Sequence, residues 1–166
     1  MENRLQSQPE KINLFGTKPS SMVDGDGLRY AIFFQGCTHQ CKGCHNKQSW
    51  DKCNGNETDI QTLITDIKTR KTFIDGVSIS GGEPLLQYEC LLKLCKSLKK
   101  QFNSNIWLWT GFEMSYIKTT YPTILEYVDV IIDGKYEQNN TTKKLYRGSD
   151  NQKLWKKNNN IWYINN

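Results

Sequence analysis

No stretch of this 166-residue chain is both long and apolar. The most apolar segments, Ala31–Phe34 and Val128–Ile132, are only strand-length, which excludes a membrane-spanning helix. Met1 to Asn13 is polar and charged and lacks the apolar centre of a signal peptide, so a cytoplasmic location is expected. Blocks of like charge are also missing. Lys and Arg number 22 against 17 Asp and Glu, a formal net charge of +5. The excess is scattered over Lys96, Lys99, Lys100, Lys143, Lys144, Lys153, Lys156 and Lys157. That is the pattern of solvated faces and not of a nucleic-acid-binding arm, so no direct nucleic-acid contact is expected, while an acidic or nucleotide partner stays open. There is no internal repeat and no composition break. A single domain over residues 1–166 is expected, with about 1–12 and 153–166 peripheral or flexible.

What is present is ordinary for a globular protein: 37% hydrophobic, 23% charged and 11% aromatic residues, which excludes wholesale disorder. A chain of this size buries roughly 68–70% of its unfolded surface, so it needs no disulfide staples. Its six cysteines therefore call for another account. In a reducing compartment they read as metal or redox chemistry. Cys37, Cys41 and Cys44 crowd together, whereas Cys53, Cys90 and Cys95 are dispersed.

The apolar pattern alternates strand and helix. Tyr30–Gln35 reads as a buried strand ending at Gly36. Thr58–Lys68 carries Ile60, Leu63, Ile64 and Ile67 at helical spacing, and Thr58 with Gln61 has the spacing of a capping box. Gly76–Ser80 is a second strand, closed by Gly81-Gly82. Tyr88, Leu91, Leu92, Cys95, Leu98 and Phe102 share one face of a second helix. Asn105–Thr110 is a third strand, a short helix follows from about Thr123 to Tyr127, and Val128–Asp133 is a fourth strand. Tyr136 to Asn160 is polar and reads as loop, while Ile161–Ile164 can add a strand. Trp107 and Trp109 lie two apart and so share a strand face, where core packing is the default. Asp24-Gly25-Asp26-Gly27 fails the spacing of a calcium loop and reads as a turn. Strand and helix in alternation predict a parallel sheet with crossover helices. Ligands of such sheets bind at the carboxyl ends of the strands. The unusual residues fall there: Cys37 to Cys44, Gly81 to Pro84, Thr110-Gly111, and Asp133 to Lys135.

Cys37, Cys41 and Cys44 form a C-x3-C-x2-C pattern. Thiolates suit both iron–sulfur clusters and zinc. Three cysteines can hold three corners of a cubane and leave the fourth iron open to a ligand. The same three with His39 or His45 can close a zinc site, and the loop alone does not separate the two. One strand later, Gly81-Gly82 lets a ligand approach the backbone closely, and Glu83 offers a carboxylate to an ammonium group. Cys95 and Cys90 read as packing residues, with Cys53 open.

These two loops, in this order, resemble those of the radical S-adenosylmethionine enzymes. Gly43, where that superfamily usually has an aromatic residue, resembles the anaerobic ribonucleotide reductase activating proteins. So do Gln35-Gly36-Cys37, Cys44-His45-Asn46-Lys47 with Trp50, Ile106 to Phe112, Asp133-Gly134-Lys135-Tyr136, and Arg147-Gly148-Ser149 with Asn151-Gln152. The resemblance spans roughly Leu14 to Gln152. It implies a partial, laterally open parallel (βα) barrel. It implies a [4Fe–4S] cluster on Cys37, Cys41 and Cys44, with S-adenosylmethionine chelating the fourth iron. The backbone of Gly43, Cys44 and His45 would lie beside the adenosyl group. Gly81, Gly82 and Glu83 would hold the methionyl amino group, and Asp133 would lie near the cofactor's polar end, with Thr110 a weaker candidate. The implied reaction is reductive cleavage to a 5′-deoxyadenosyl radical, which removes a glycine Cα hydrogen from the catalytic subunit of the anaerobic ribonucleotide reductase. A one-electron donor protein is implied as a second partner. No catalytic acid, base or nucleophile is expected. The alternatives are an activase of another glycyl-radical enzyme, a small-molecule radical enzyme, and a non-catalytic zinc-binding module.

Overall fold

The computed structural model describes residues 10–165. Their strands join in one open sheet of eight, in the order β3-β1-β2-β4-β5-β6-β7-β8. The centre is parallel: β2 (Arg29–Phe34), β4 (Gly76–Gly81), β5 (Asn105–Trp109) and β6 (Val130–Asp133). These are the four expected strands, to within two residues at each end. Antiparallel strands extend both sides. β1 (Lys11–Ser21) pairs with β2 and with β3 (Asn56–Asp59), while β7 (Lys153–Asn158) pairs with β6 and with β8 (Ile161–Ile164). β8 is the strand expected at Ile161–Ile164, whereas β7 forms within the segment expected to be loop; at the other end Lys11 and Ile12 open β1, with Ile12 fully buried. Of the mobility expected for Met1–Glu10, all but Glu10 lies outside the described residues.

Helices make the crossovers. α1 (Ile60–Arg70) leads into β4, α2 (Tyr88–Phe102) links β4 to β5, and α3 (Met114–Thr120) and α4 (Ile124–Tyr127) link β5 to β6. In α1 the expected stripe of Ile60, Leu63, Ile64 and Ile67 is buried. Each such side chain contributes ~1.5–3 kcal/mol. The cap is Asp59, whose carboxylate accepts the Thr62 N–H at 2.9 Å, one residue after the expected Thr58. An aspartate ranks above a threonine at this position. In α2 the buried face is Leu91, Leu94, Cys95 and Leu98, and the helix ends at Asn103 in a left-handed conformation.

Period-2 alternation divides the central strands between two faces. Tyr30, Ile32, Phe34, Val77, Ile79, Ile106, Leu108 and Ile131 share the main core with the buried residues of all four helices. The opposite face carries Arg29, Ser78, Trp107, Trp109, Val130 and Ile132, with a small cluster around Trp107. The two tryptophans do share a face, 5.7 Å apart between ring centroids; Trp107 is buried and Trp109 half-buried. Arg29 anchors the lower end of this face. Its guanidinium donates to Ser78 Oγ and to the carbonyls of Asp26, Val77 and Asn105, and it lies 5.2 Å from the Trp107 ring. Burial lowers its pKa to about 10. The Asp24–Gly27 segment is a bend, as expected, and the carbonyl of Asp24 accepts from Ser78 Oγ.

Candidate functional site

The site begins where β2 ends. Gly36 takes φ +95°, and the chain turns into the cysteine loop. The loop returns on itself: Gly36 N donates to Ser49 O at 2.7 Å and Cys37 N to Trp50 O at 3.0 Å. Buried Gln35 ties the base, its amide donating to the carbonyls of Gln48 and Asp51. At the tip Cys44 N donates to Cys41 O. All six cysteines are free thiols, and those of the loop are half-buried. Burial, the dominant influence, raises the Cys37 thiol above its ordinary pKa.

Because β2 and β4 are parallel neighbours, the loop after β4 lies directly against the cysteine loop. Gly82 N donates to Phe34 O and Glu83 N to Gly36 O, at 2.8 and 2.7 Å. This approach demands both glycines. Gly81 has φ +108°, and a Cβ there would fall 2.4 Å from Phe34 N; at Gly82 it would fall 2.3 Å from Gly36 O. Neither neighbour can move, since both are backbone atoms in hydrogen-bonded segments.

One cleft collects much of what the sequence pointed to. It is lined by Cys37, Cys41, Cys44 and His45, by Ser80, Gly81 and Gly82, by Trp109, Thr110 and Gly111, and by Gly134, Lys135 and Tyr136. It opens on the carboxyl ends of all four parallel strands. Gly43 lies at its side with φ +74°, and a Cβ there would meet the Gln138 side chain at 2.7 Å. The segment after β6 thus packs where a larger residue at 43 would stand. His45 and Tyr136 face each other at 5.5 Å between ring centroids.

Two expected site residues stand apart from that cleft. Glu83 is fully buried behind its wall. Its carboxylate accepts from Leu85 N, Thr110 Oγ1, Gly111 N and His39 Nε2 at 2.8–3.0 Å. Asp133 is also buried and accepts from Met114 N at 2.7 Å and Lys153 N at 3.2 Å. It fastens the start of α3 and the start of β7, and it borders the neighbouring cavity, not the one lined by the thiols. The resemblance implies a ligand-side role for both carboxylates, but backbone donors claim them. His39, which the sequence offers as a possible fourth ligand of a zinc site, lies in the wall between the cysteine loop and Glu83.

The donor set fits a cluster: three free thiols on one loop, facing one cleft, with glycine backbone opposite. Among the described residues no three His, Cys, Asp or Glu side chains are gathered closely enough to hold a single ion. His39 is paired with Glu83.

An α/β sheet with a half-buried cysteine loop at its carboxyl edge defines a cluster-binding class, and residues 23–155 match the family described as "4Fe-4S single cluster domain". Within it, the chain is 42% identical over 149 residues to the anaerobic ribonucleoside-triphosphate reductase-activating protein of Enterobacteria phage T4, covering 87% of this chain and 94% of that one. It is 37% identical to the protein of the same name from Haemophilus influenzae, covering 85% and 96%. For the Escherichia coli K12 protein the figures are 31% identity, 81% and 92%. The chain belongs to the family of anaerobic ribonucleoside-triphosphate reductase-activating proteins. Among solved structures it is similar to QueE from Escherichia coli, with 21% identity, a TM-score of 0.48, and coverage of 61% of this chain and 52% of that one.

Proposed function

We propose that this chain is the S-adenosylmethionine-dependent enzyme that activates an anaerobic ribonucleotide reductase by forming a glycyl radical on it. One observation carries the reading: the C-x3-C-x2-C thiols and the Gly81-Gly82 backbone share a single cleft at the carboxyl ends of the parallel strands. When bound, a [4Fe–4S] cluster and S-adenosylmethionine supply the one-electron carbon–sulfur cleavage that leads to hydrogen removal from a glycine Cα of the reductase.

The chain's own residues bind, orient and exclude. Cys37, Cys41 and Cys44 would hold the cluster, and with no fourth cysteine in the loop one iron would be left for S-adenosylmethionine. Gly81 and Gly82, having no side chains, would let its methionyl end reach the backbone. Gly43, Cys44 and His45 would offer backbone beside its adenosyl end. The rings of Trp109 and Tyr136 give the cleft aromatic lining. Asp133 acts at one remove, by fixing α3 and β7 beside the cleft.

The finer fold reading is a partial, laterally open barrel. Two features support it: all four helices lie on one face of the sheet, and the sheet is open, with β3 and β8 as its unjoined edges. Such an opening admits a loop of a protein substrate. A one-electron donor protein is the second partner. Cytoplasmic location suits a site that needs reduced thiols; no described helix is long and apolar enough to cross a membrane.

The test is anaerobic reconstitution with iron and sulfide, reduction, and measurement of 5′-deoxyadenosine released from S-adenosylmethionine. Release is expected from the wild-type chain and not from Cys41→Ala. A fully loaded wild-type chain that releases none contradicts the reading.

A further inference from the structure

His39 stands between Cys37 and Cys41, yet it does not face solvent. Its side chain is 8% exposed, and Nε2 lies 2.8 Å from Oε2 of Glu83, which is 0% exposed. The ring meets Phe112 edge-on, with centroids 4.6 Å apart. The loop after β5 is cut to receive it: a Cβ at Gly111 would fall 2.4 Å from His39 Cδ2. A histidine merely placed in a loop would need no such recess.

The carboxylate it meets is already a junction. Thr110 Oγ1 lies 2.9 Å from both oxygens, Gly111 N is 2.8 Å from Oε2, and Leu85 N is 3.0 Å from Oε1. The loops after β2, β4 and β5 therefore converge on one buried group. A carboxylate has about four acceptor sites. Leu85, Thr110, Gly111 and His39 fill them, which leaves none for the ammonium of a ligand.

We propose that His39 is a positioning residue: by latching the cysteine loop to Glu83, it sets the thiols of Cys37 and Cys41 against the Gly81-Gly82 backbone, and Glu83 acts through this latch and not on the ligand. The proposal rests on the functional reading above, in which these thiols hold the cluster that S-adenosylmethionine approaches. Without the imidazole, the buried carboxylate loses one of its donors and the bend between Cys37 and Cys41 loses its anchor.

The experiment compares His39→Leu and His39→Gln with the wild type, all reconstituted and reduced anaerobically as full chains. Iron content, the electron paramagnetic resonance line shape with and without S-adenosylmethionine, and the affinity for S-adenosylmethionine are measured at matched iron loading. Supports of metal ligands typically act on the order of 10–100-fold. His39→Leu is expected to weaken S-adenosylmethionine binding about tenfold and to blunt its effect on the line shape, while His39→Gln, which keeps an N–H donor, restores most of both. Wild-type affinity and line shape in His39→Leu overturn the latch, as does a glutamine variant no better than leucine. If His39→Leu fails to fold, Gly111→Ala serves instead, since its methyl displaces the imidazole without deleting a donor. The same weakening is expected there, and wild-type behaviour overturns the proposal. A wild-type line shape indifferent to S-adenosylmethionine defeats the functional reading itself, and the latch with it. A responsive wild type matched by His39→Leu defeats the latch alone.

Discussion

Replacing Glu83 by glutamine separates two roles that one carboxylate can have. The side chains are nearly isosteric, so packing is unchanged. Glutamine, however, keeps one oxygen and turns the other into an NH2. Turned one way, that NH2 confronts Leu85 N–H; turned the other, it confronts Gly111 N–H. The Thr110 hydroxyl and His39 can reverse their polarity, but a backbone amide cannot. At least one buried donor is therefore orphaned, at ~1–3 kcal/mol, and the remaining bonds lose their charge assistance. Release of the buried charge offsets part of this, leaving a net loss of about 3 kcal/mol. For a chain of this size that is a fall of roughly 6–12 °C in Tm. Thermal and urea unfolding of the metal-free, reduced chain measures it. A carboxylate open to a ligand behaves otherwise: exposed substitutions stay within about 0.5 kcal/mol. A Glu83→Gln chain melting within about 2 °C of wild type would falsify the buried-junction argument.

Other consequences follow from particular residues. Gly43→Ala places a methyl at φ +74° against Gln138, and is expected to destabilise the chain by about 1–2 kcal/mol, with part recovered in the Gly43→Ala/Gln138→Ala double variant. Strict additivity of the two changes in urea unfolding rejects the contact. Cys53 is exposed and outside the cleft, so Cys53→Ser is expected to keep full iron loading while Cys41→Ala loses the cluster; equal iron in both variants overturns the ligand assignment. Burial holds Cys95 protonated to about pH 12, whereas an ordinary thiol ionises near 9. Its contribution is complete below pH 9 and is lost as pH rises toward 12, because the unfolded chain releases the proton first. Urea midpoints are expected to fall above pH 9, and less steeply in Cys95→Ala; an unchanged pH profile in that variant counts against the assignment. Tyr30, raised to about 12 by burial, adds to the same decline above pH 10.

What the sequence discloses here depends on how much apolar surface each element buries. The four parallel strands are short segments with buried apolar residues closed by glycines: one face packs on the helices, and the other buries the Trp107 cluster and, in β4, Ser78. β1, β3 and β7 offered no such pattern. In β1, Ile12 and Leu14 are its only buried apolar side chains, and Gly16 and Pro19 interrupt it. β3 is Asn-Glu-Thr-Asp and has no buried side chain; β7 buries Leu154 alone. α3 covers seven residues and buries only Met114 and Ile117, too few to establish a period. The site divides in the same manner. Local spacing displayed the cysteines and the glycine pair. The His39–Glu83 contact joins residues 44 apart, and no local pattern records it. Thr110-Gly111 stands out in the sequence only as a strand end, and the assembled sheet shows that His39 packs against it.

The central claim is that this cleft transmits one-electron chemistry to a glycine of another protein. The most direct measurement is electron paramagnetic resonance of the reduced, cluster-loaded chain mixed with an anaerobic ribonucleotide reductase and S-adenosylmethionine. A glycyl doublet is expected only when all three are present, and it is expected to be absent with Cys41→Ala. A doublet of equal size with that variant, or none from a fully loaded wild-type chain, contradicts the account.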